Sequence, residues 1–171
     1  MLTRLIAAVT TVILAITLPG NPAQATASDD PPATGRSVVP VRVDPSNATS
    51  GSAVFVECYL RANDPILYPG EHLILGDGFF SSCWPADPDV CRVETDLEVY
   101  NPYSSLWQVY ASGPVKYGPP CKGLKSRAAS YGCEPSSRQY SYRTRAYGTI
   151  VEGGIGTSAV ATSPSVRYYC Y

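Results

Sequence analysis

The sequence predicts an all-β fold: an antiparallel β-sandwich of immunoglobulin-like architecture with about seven strands. Three observations carry this expectation. Apolar residues recur with period two rather than 3.6, as in strands with one buried face. Gly, Pro, Ser and Asn punctuate the chain every ten or so residues, the spacing of short strands joined by turns. Six cysteines in a chain that begins like an export precursor add a framework of three disulfides.

The chain has 171 residues. Arg4 is followed by an apolar stretch from Leu5 to Leu18, then Pro19, Gly20 and Pro22. Two overlapping small-x-small sites follow, Ala23-Gln24-Ala25 and Ala25-Thr26-Ala27. This is the layout of a secretory signal peptide over residues 1–27, cleaved after Ala25 or Ala27. The apolar run is too short to span a membrane, and no second one follows. Secretion to the extracellular space is therefore expected, with no membrane span after cleavage. Residues 28–37, rich in Asp and Pro, have nothing to bury and read as a flexible leader. Residues 38–171 form one domain, long enough to hold a core.

Within it the expected strands are Val38–Val43, Ala53–Arg61, His72–Leu75, Val93–Tyr100, Leu106–Ser112, Gln139–Ile150 and Thr157–Tyr169. Asn101-Pro102-Tyr103-Ser104-Ser105 and Gly153-Gly154 supply hairpin turns. In the fourth strand Val93, Thr95, Leu97 and Val99 face the core, and Glu94, Asp96, Glu98 and Tyr100 face water. In the sixth, Tyr140, Tyr142, Thr144 and Ala146 alternate with Ser141, Arg143, Arg145 and Tyr147. One wet face is acidic and the other basic, so a cross-strand ladder of opposite charges would account for both. Trp107, flanked by Leu106 and Val109, is most simply core. Proximity favours Cys83–Cys91 and Cys121–Cys133 as local disulfides, leaving Cys58–Cys170 to join an early strand to the last. The spacings contain no C-x-x-C and the chain has one His, so neither a metal site nor a cofactor is expected.

Charge is distributed unevenly. Residues 29–98 carry 12 acids against 4 bases, and residues 99–171 carry 8 bases against 2 acids and 11 of the 13 tyrosines. That asymmetry points to an anion-binding or partner-binding surface on the second half. The candidate residues are Lys122, Lys125, Arg127, Arg143, Arg145 and Tyr147. Lys122, Lys125 and Arg127 would sit on an exposed loop clamped by Cys121 and Cys133. Such a loop could also dock into a trypsin-type protease, because constraint lowers the ordering cost of binding. Nucleic acid is disfavoured by a pI near 5.8 and by the lack of any binding motif. In the shorter Cys83–Cys91 segment, Trp84 is an anchor for a partner or sugar ring. Asp87 and Asp89, with Asp77 upstream, match no calcium-loop pattern.

Catalysis has little support. His72 is the sole imidazole, no G-x-S-x-G surrounds a serine, and bridged cysteines are not nucleophiles. Tyr140-Ser141-Tyr142-Arg143-Thr144-Arg145-Ala146, then Gly153-Gly154, Ala161-Thr162-Ser163-Pro164-Ser165-Val166 and Cys170, resemble small secreted proteins of actinobacteria. Trp107 to Tyr110 and the Cys121, Cys133 pair extend this resemblance over residues 97–171. It implies a β-sandwich of actinobacterial origin and brings no site residues. Tyr131, two residues before Cys133, imitates a tyrosine corner, although the distance from Cys58 to Trp107 is too long for an immunoglobulin domain. The expectation is a monomeric, secreted, non-catalytic binding protein, whose partner is an extracellular protein or an anionic polymer. The alternatives are a serine-protease inhibitor acting through the Cys121–Cys133 loop, and an unrecognised hydrolase.

Overall fold

A computed structural model describes residues 35–44, 54–131, 133 and 135–170. The expected signal peptide and most of the leader lie outside these residues. The described chain is all-β, built from two antiparallel sheets packed face to face. Its strands are β1 (Val38–Val43), β2 (Val56–Ala62), β3 (Ile66–Tyr68), β4 (Leu73–Trp84), β5 (Val90–Asn101) and β6 (Leu106–Ser112). They continue with β7 (Lys116–Gly118), β8 (Lys125–Tyr131), β9 (Pro135–Glu152), β10 (Ile155–Thr162) and β11 (Val166–Cys170).

In the first sheet β1 pairs with β2, and β4 is the hub that pairs with β2, β3 and β8. In the second sheet β5 and β9 form the centre. The long β9 carries β10 along its C-terminal part and β11 along its N-terminal part. β5 carries β7 near its start and β6 near its end. The period-two reading of β5 and β9 holds for the core face, where Val93, Thr95, Leu97, Tyr142, Thr144 and Ala146 are all buried. It does not hold for the whole of the expected wet faces, since Glu98, Tyr100 and Ser141 are buried too, under neighbouring side chains.

The sheets meet closely at two glycines of β4. A Cβ on Gly76 would lie 2.7 Å from Thr144 Oγ1, and one on Gly78 would lie 2.5 Å from Ala146 Cβ. Only hydrogen fits between the sheets there. Apolar clusters fill the space on either side of this seam. One gathers Val41, Leu60, Phe80, Val93 and Ile150; the other gathers Ile74, Leu97, Val99, Ala128 and Tyr142.

Several expectations need correction. Eleven strands replace seven among the described residues, because β3, β7 and β8 fall outside the expected strands and Thr157–Tyr169 divides at Ser163–Ser165 into β10 and β11. The strand expected at His72–Leu75 runs on to Trp84; Gly76 and Gly78 within it are contact points between the sheets. All three expected disulfide pairings are replaced. Cys58 pairs with Cys83, its direct neighbour across β2 and β4, and Cys91 pairs with Cys121. Cys133 is disulfide-bonded too, and no free cysteine occurs among the described residues. Proximity in sequence was a poor guide, because each doubling of loop length costs only about 0.6 kcal/mol. Strand register outweighs that term.

Trp107 is also not core. It pairs with Tyr100 on the outer face of the second sheet, partly exposed, with its ring against a cation.

Candidate functional site

The structure divides the six candidate residues between opposite faces of the sandwich. Lys125 and Arg127 lie on β8, whose alternate residues Ser126 and Ala128 are buried. Their side chains therefore point outward from the first sheet. Lys122 lies just before β8, where its backbone N–H donates to Asp87 Oδ1 at 3.2 Å. Arg143, Arg145 and Tyr147 point outward from the second sheet, alternating with buried Thr144 and Ala146. The six do not form one surface.

On the first sheet, Asp77 of β4 faces Arg127 in register. Its carboxylate accepts from Arg127 Nε at 2.8 Å and pairs with Lys125 Nζ at 2.6 Å. Hydrogen bonding to Asp77, reinforced by its charge, pushes the Arg127 pKa up. Two of the three cations expected on a presented loop are thus held by one acid on a strand. The loop itself is not closed as expected, since Cys121 pairs with Cys91.

On the second sheet Glu98 of β5 plays the corresponding part. It is only 4% exposed, accepts from Arg143 Nε at 2.5 Å, and has Arg145 Nη1 at 3.5 Å. Each arginine also lies over an aromatic face: Arg143 Cζ is 4.2 Å from the Trp107 ring centre, and Arg145 Cζ is 5.2 Å from that of Tyr147. Tyr100 continues the row, 5.4 Å from Trp107. The order is Tyr147, Arg145, Glu98, Arg143, Trp107, Tyr100. Burial pushes the Tyr147 pKa up, and nearby Asp96 and Glu98 act in the same direction while Arg145 opposes them. Ladders of this kind stiffen a sheet face, and the expected cross-strand pairing of opposite charges is present in β5 and β9.

Beyond this ladder the second sheet opens. The β5–β9 register ends at Val99↔Tyr142. From there β5 continues only with β6, through Tyr100↔Trp107 and Asn101↔Leu106. β9 continues in the other direction only with β11, through Ser141↔Arg167 and Tyr140↔Tyr168. The two pairs diverge and leave a cleft of about 590 Å³ between them. Tyr100 and Tyr103 line one wall; Tyr140, Tyr169, Arg138 and Arg167 line the other. Polar side chains of Ser137, Gln139, Ser141 and Gln108 complete it, and no acidic side chain among the described residues lines it. Asn101 Oδ1 accepts the backbone N–H of Tyr103 and so holds the β5–β6 turn. Arg138 Nη1 donates to the Tyr103 hydroxyl at 3.3 Å, a bond that reaches from one wall to the other.

Neither Arg138 nor Arg167 was singled out by sequence reasoning. The signal was present in the tyrosine-rich, basic second half of the chain. What hid the cleft is the point at which β5 and β9 part, which depends on pairing rather than on composition.

Other candidate groups do not assemble into a site. Cys83, Asp87 and Cys121 lie close together, but both cysteines are in disulfides and offer no thiolate to a metal. His72 Nδ1 lies 3.2 Å from the Cys133 carbonyl oxygen. Trp84 is exposed and stacks edge-on with Phe55 at the far end of the first sheet. No family model matches the chain, and no curated protein or solved structure matches it.

Proposed function

We infer that this chain is an exported, non-catalytic binding protein that takes an anionic extracellular ligand in the cleft between the β5–β6 and β9–β11 pairs. The observation that carries this reading is the cleft lining, which among the described residues gathers two guanidinium groups and four tyrosines. Guanidinium groups pair with carboxylates through two parallel hydrogen bonds, and tyrosines supply wide contact area at low entropic cost. A cleft of this volume falls in the range of ligand sites. The disulfides Cys58–Cys83 and Cys91–Cys121 suit an oxidising environment. No helix among the described residues is long and apolar enough to cross a membrane.

Lys125 and Arg127 are less suited to this role, because Asp77 already neutralises part of their charge. Arg143 and Arg145 share Glu98 and do not line the cleft. The same geometry weakens the protease-inhibitor alternative, whose reactive loop would have to be a paired strand.

The test is retention of the oxidised protein on two immobilised polyanions, poly-L-glutamate and carboxymethyl-dextran, at low and high salt. Arg138→Ala with Arg167→Ala should lose retention on at least one of them, whereas Lys125→Ala with Arg127→Ala should keep it. Retention should weaken as salt rises. Loss in the β8 variant with retention in the cleft variant would overturn the assignment, as would failure of both surfaces to retain the protein.

A further inference from the structure

We propose that the disulfides Cys58–Cys83 and Cys91–Cys121 form one exchange-active pair, which an extracellular protein dithiol rearranges to a Cys83–Cys121 bond. The pair lies where β5 begins and β9 ends, away from the cleft at the opposite ends of the same strands.

Its basis is the spacing of the sulfurs. Cys83 Sγ and Cys121 Sγ belong to different disulfides, yet they lie within 4.8 Å of each other. Cys58, Cys91 and Cys121 share one apolar cluster, and Cys83 packs against it. Strand pairing produces this approach. Cys83 stands directly across from Cys58 near the end of β4. The segment that leads into β8 is fixed to the same strand: the Gly123 N–H donates to the Phe80 carbonyl at 2.7 Å, and the Phe80 N–H donates to that of Leu124 at 3.1 Å. Cys121 is thereby held beside Cys83 in the first sheet, while its bonded partner Cys91 belongs to β5 of the second. Cys58–Cys83 therefore links two strands of one sheet, and Cys91–Cys121 links the sheets.

Exposure sets the point of entry. Cys58, Cys91 and Cys121 are fully buried, and Cys83 is half-buried. One thiolate of the dithiol attacks Cys83 Sγ; the Cys58–Cys83 bond breaks, and its electron pair, then a proton, goes to Cys58. The second thiol of the reductant closes on the first and releases Cys83 as a thiolate. Cys83 attacks Cys121 Sγ, the Cys83–Cys121 bond forms, the Cys91–Cys121 bond breaks, and Cys91 leaves with the electron pair and takes up a proton. The dithiol is oxidised to a disulfide, and the protein loses one disulfide and gains thiols on Cys58 and Cys91.

Two features favour that product. Cys58 and Cys91 sit in the apolar core, where a thiol packs as a small hydrophobe and is a poor nucleophile. The Asp87 carboxylate lies within 4.8 Å of the Cys83 and Cys121 sulfurs, so it opposes a thiolate on either and favours their bonding to each other. The consequence is loss of the Cys91–Cys121 link between the sheets, while a disulfide within the first sheet is kept.

The experiment maps free thiols under native conditions by alkylation and peptide mass spectrometry. Cys58→Ser leaves Cys83 unpaired, and Cys91→Ser leaves Cys121 unpaired. Both variants should converge on the Cys83–Cys121 bond, with the alkylated thiol found at Cys91 in the first and at Cys58 in the second. The double variant, Cys58→Ser with Cys91→Ser, should form the same bond on oxidation, which keeps the test open if a single variant does not fold. The parent protein given a limiting amount of dithiothreitol should be alkylated at Cys58 and Cys91. Cys133 is disulfide-bonded in the other apolar cluster and should stay so. A thiol that remains at Cys83 in Cys58→Ser and at Cys121 in Cys91→Ser would overturn the exchange, as would failure of the double variant to form the bond. Alkylation of the parent at Cys58 and Cys83, or at Cys91 and Cys121, would do the same. New crosslinks to Cys133 in step with Cys83–Cys121 would mean scrambling through unfolding, and would also overturn it.

Discussion

The outer faces of the two sheets carry the same electrostatic motif at different depths. On the first sheet Asp77 is flanked by Lys125 and Arg127; on the second Glu98 is flanked by Arg143 and Arg145. In each case one acid on a central strand serves two bases on its neighbour. The difference is burial. Lys125 and Arg127 have side chains 40% and 53% exposed, whereas those of Arg143 and Glu98 are 12% and 5% exposed. Water screens the first cluster and competes with it. The second is shielded by Trp107, Tyr100 and Tyr147, so its charges depend on each other. Burial, and not the count of charge pairs, decides which cluster supports the fold.

The sharpest way to break this comparison is to remove one base from each cluster. Arg143→Ala leaves Glu98 buried with only the more distant Arg145, and also removes a cation from the Trp107 face. A cost of about 3–5 kcal/mol is expected, the usual penalty for stranding one partner of a buried pair. Chemical denaturation read by tryptophan fluorescence measures it. Glu98→Gln introduced into the Arg143→Ala protein should recover part of that loss, because the stranded charge is gone.

Arg127→Ala is the matching change on the first sheet. Its exposed pair is worth about 0.2–1 kcal/mol, and Lys125 still neutralises Asp77. Raising the salt should shrink even this difference, while the Arg143→Ala penalty should persist because its partner is shielded. Equal penalties for the two variants would sink the comparison.

How much of this was legible beforehand follows from what each feature depends on. The facing of β5 and β9 was readable because the charges of Glu94, Asp96 and Glu98 alternate with Val93, Thr95 and Leu97. Their pairing into a ladder was readable as an option, since opposite charges on two half-buried strands invite it. β8 was missed because Lys125-Ser126-Arg127-Ala128-Ala129-Ser130-Tyr131 contains no Val, Ile, Leu or Phe. Its inner face, Ser126 and Ala128, is made of small residues that allow close approach to the neighbouring sheet. The expected strand at His72–Leu75 stops short of Gly76 and Gly78, residues with no side chain to show a strand's period. In the fold they mark where Thr144 and Ala146 press against the strand. Trp107 was read as core because composition cannot separate burial between sheets from burial under an arginine. The cleft could not be read at all. It depends on β5 and β9 parting after Val99 and Tyr142, and nothing in either strand announces that position.

The smallest expected effects lie at the two ends of the pH scale, and they separate the sheets once more. On the first sheet the Glu57 carboxyl is pulled below its ordinary value by a hydrogen bond from Tyr59 and by Arg42. A lowered carboxyl pKa stabilises the fold at pH above its ordinary value, and that contribution is lost as pH falls through the lowered one. On the second sheet burial raises the Tyr147 pKa above its ordinary value of about 10. A raised pKa works in the opposite sense: the contribution is complete below the ordinary value and disappears as pH rises through the raised one. Thus Glu57→Gln should flatten the acid limb of the stability curve and, because Glu57 also raises the Tyr59 pKa, soften the alkaline limb with it. Tyr147→Phe should change the alkaline limb alone, because phenylalanine keeps the ring under Arg145 but has no proton to lose. Thermal melts across pH 3–11 on both variants, with tyrosinate absorbance followed at the alkaline end, measure this (range set by the carboxyl and phenol titrations, about 4 and about 10). A Tyr147→Phe protein whose alkaline limb matches the parent would mean that Tyr147 ionises as freely as a surface tyrosine. The second sheet's ladder would then be as wet as the first sheet's, and burial would no longer distinguish them.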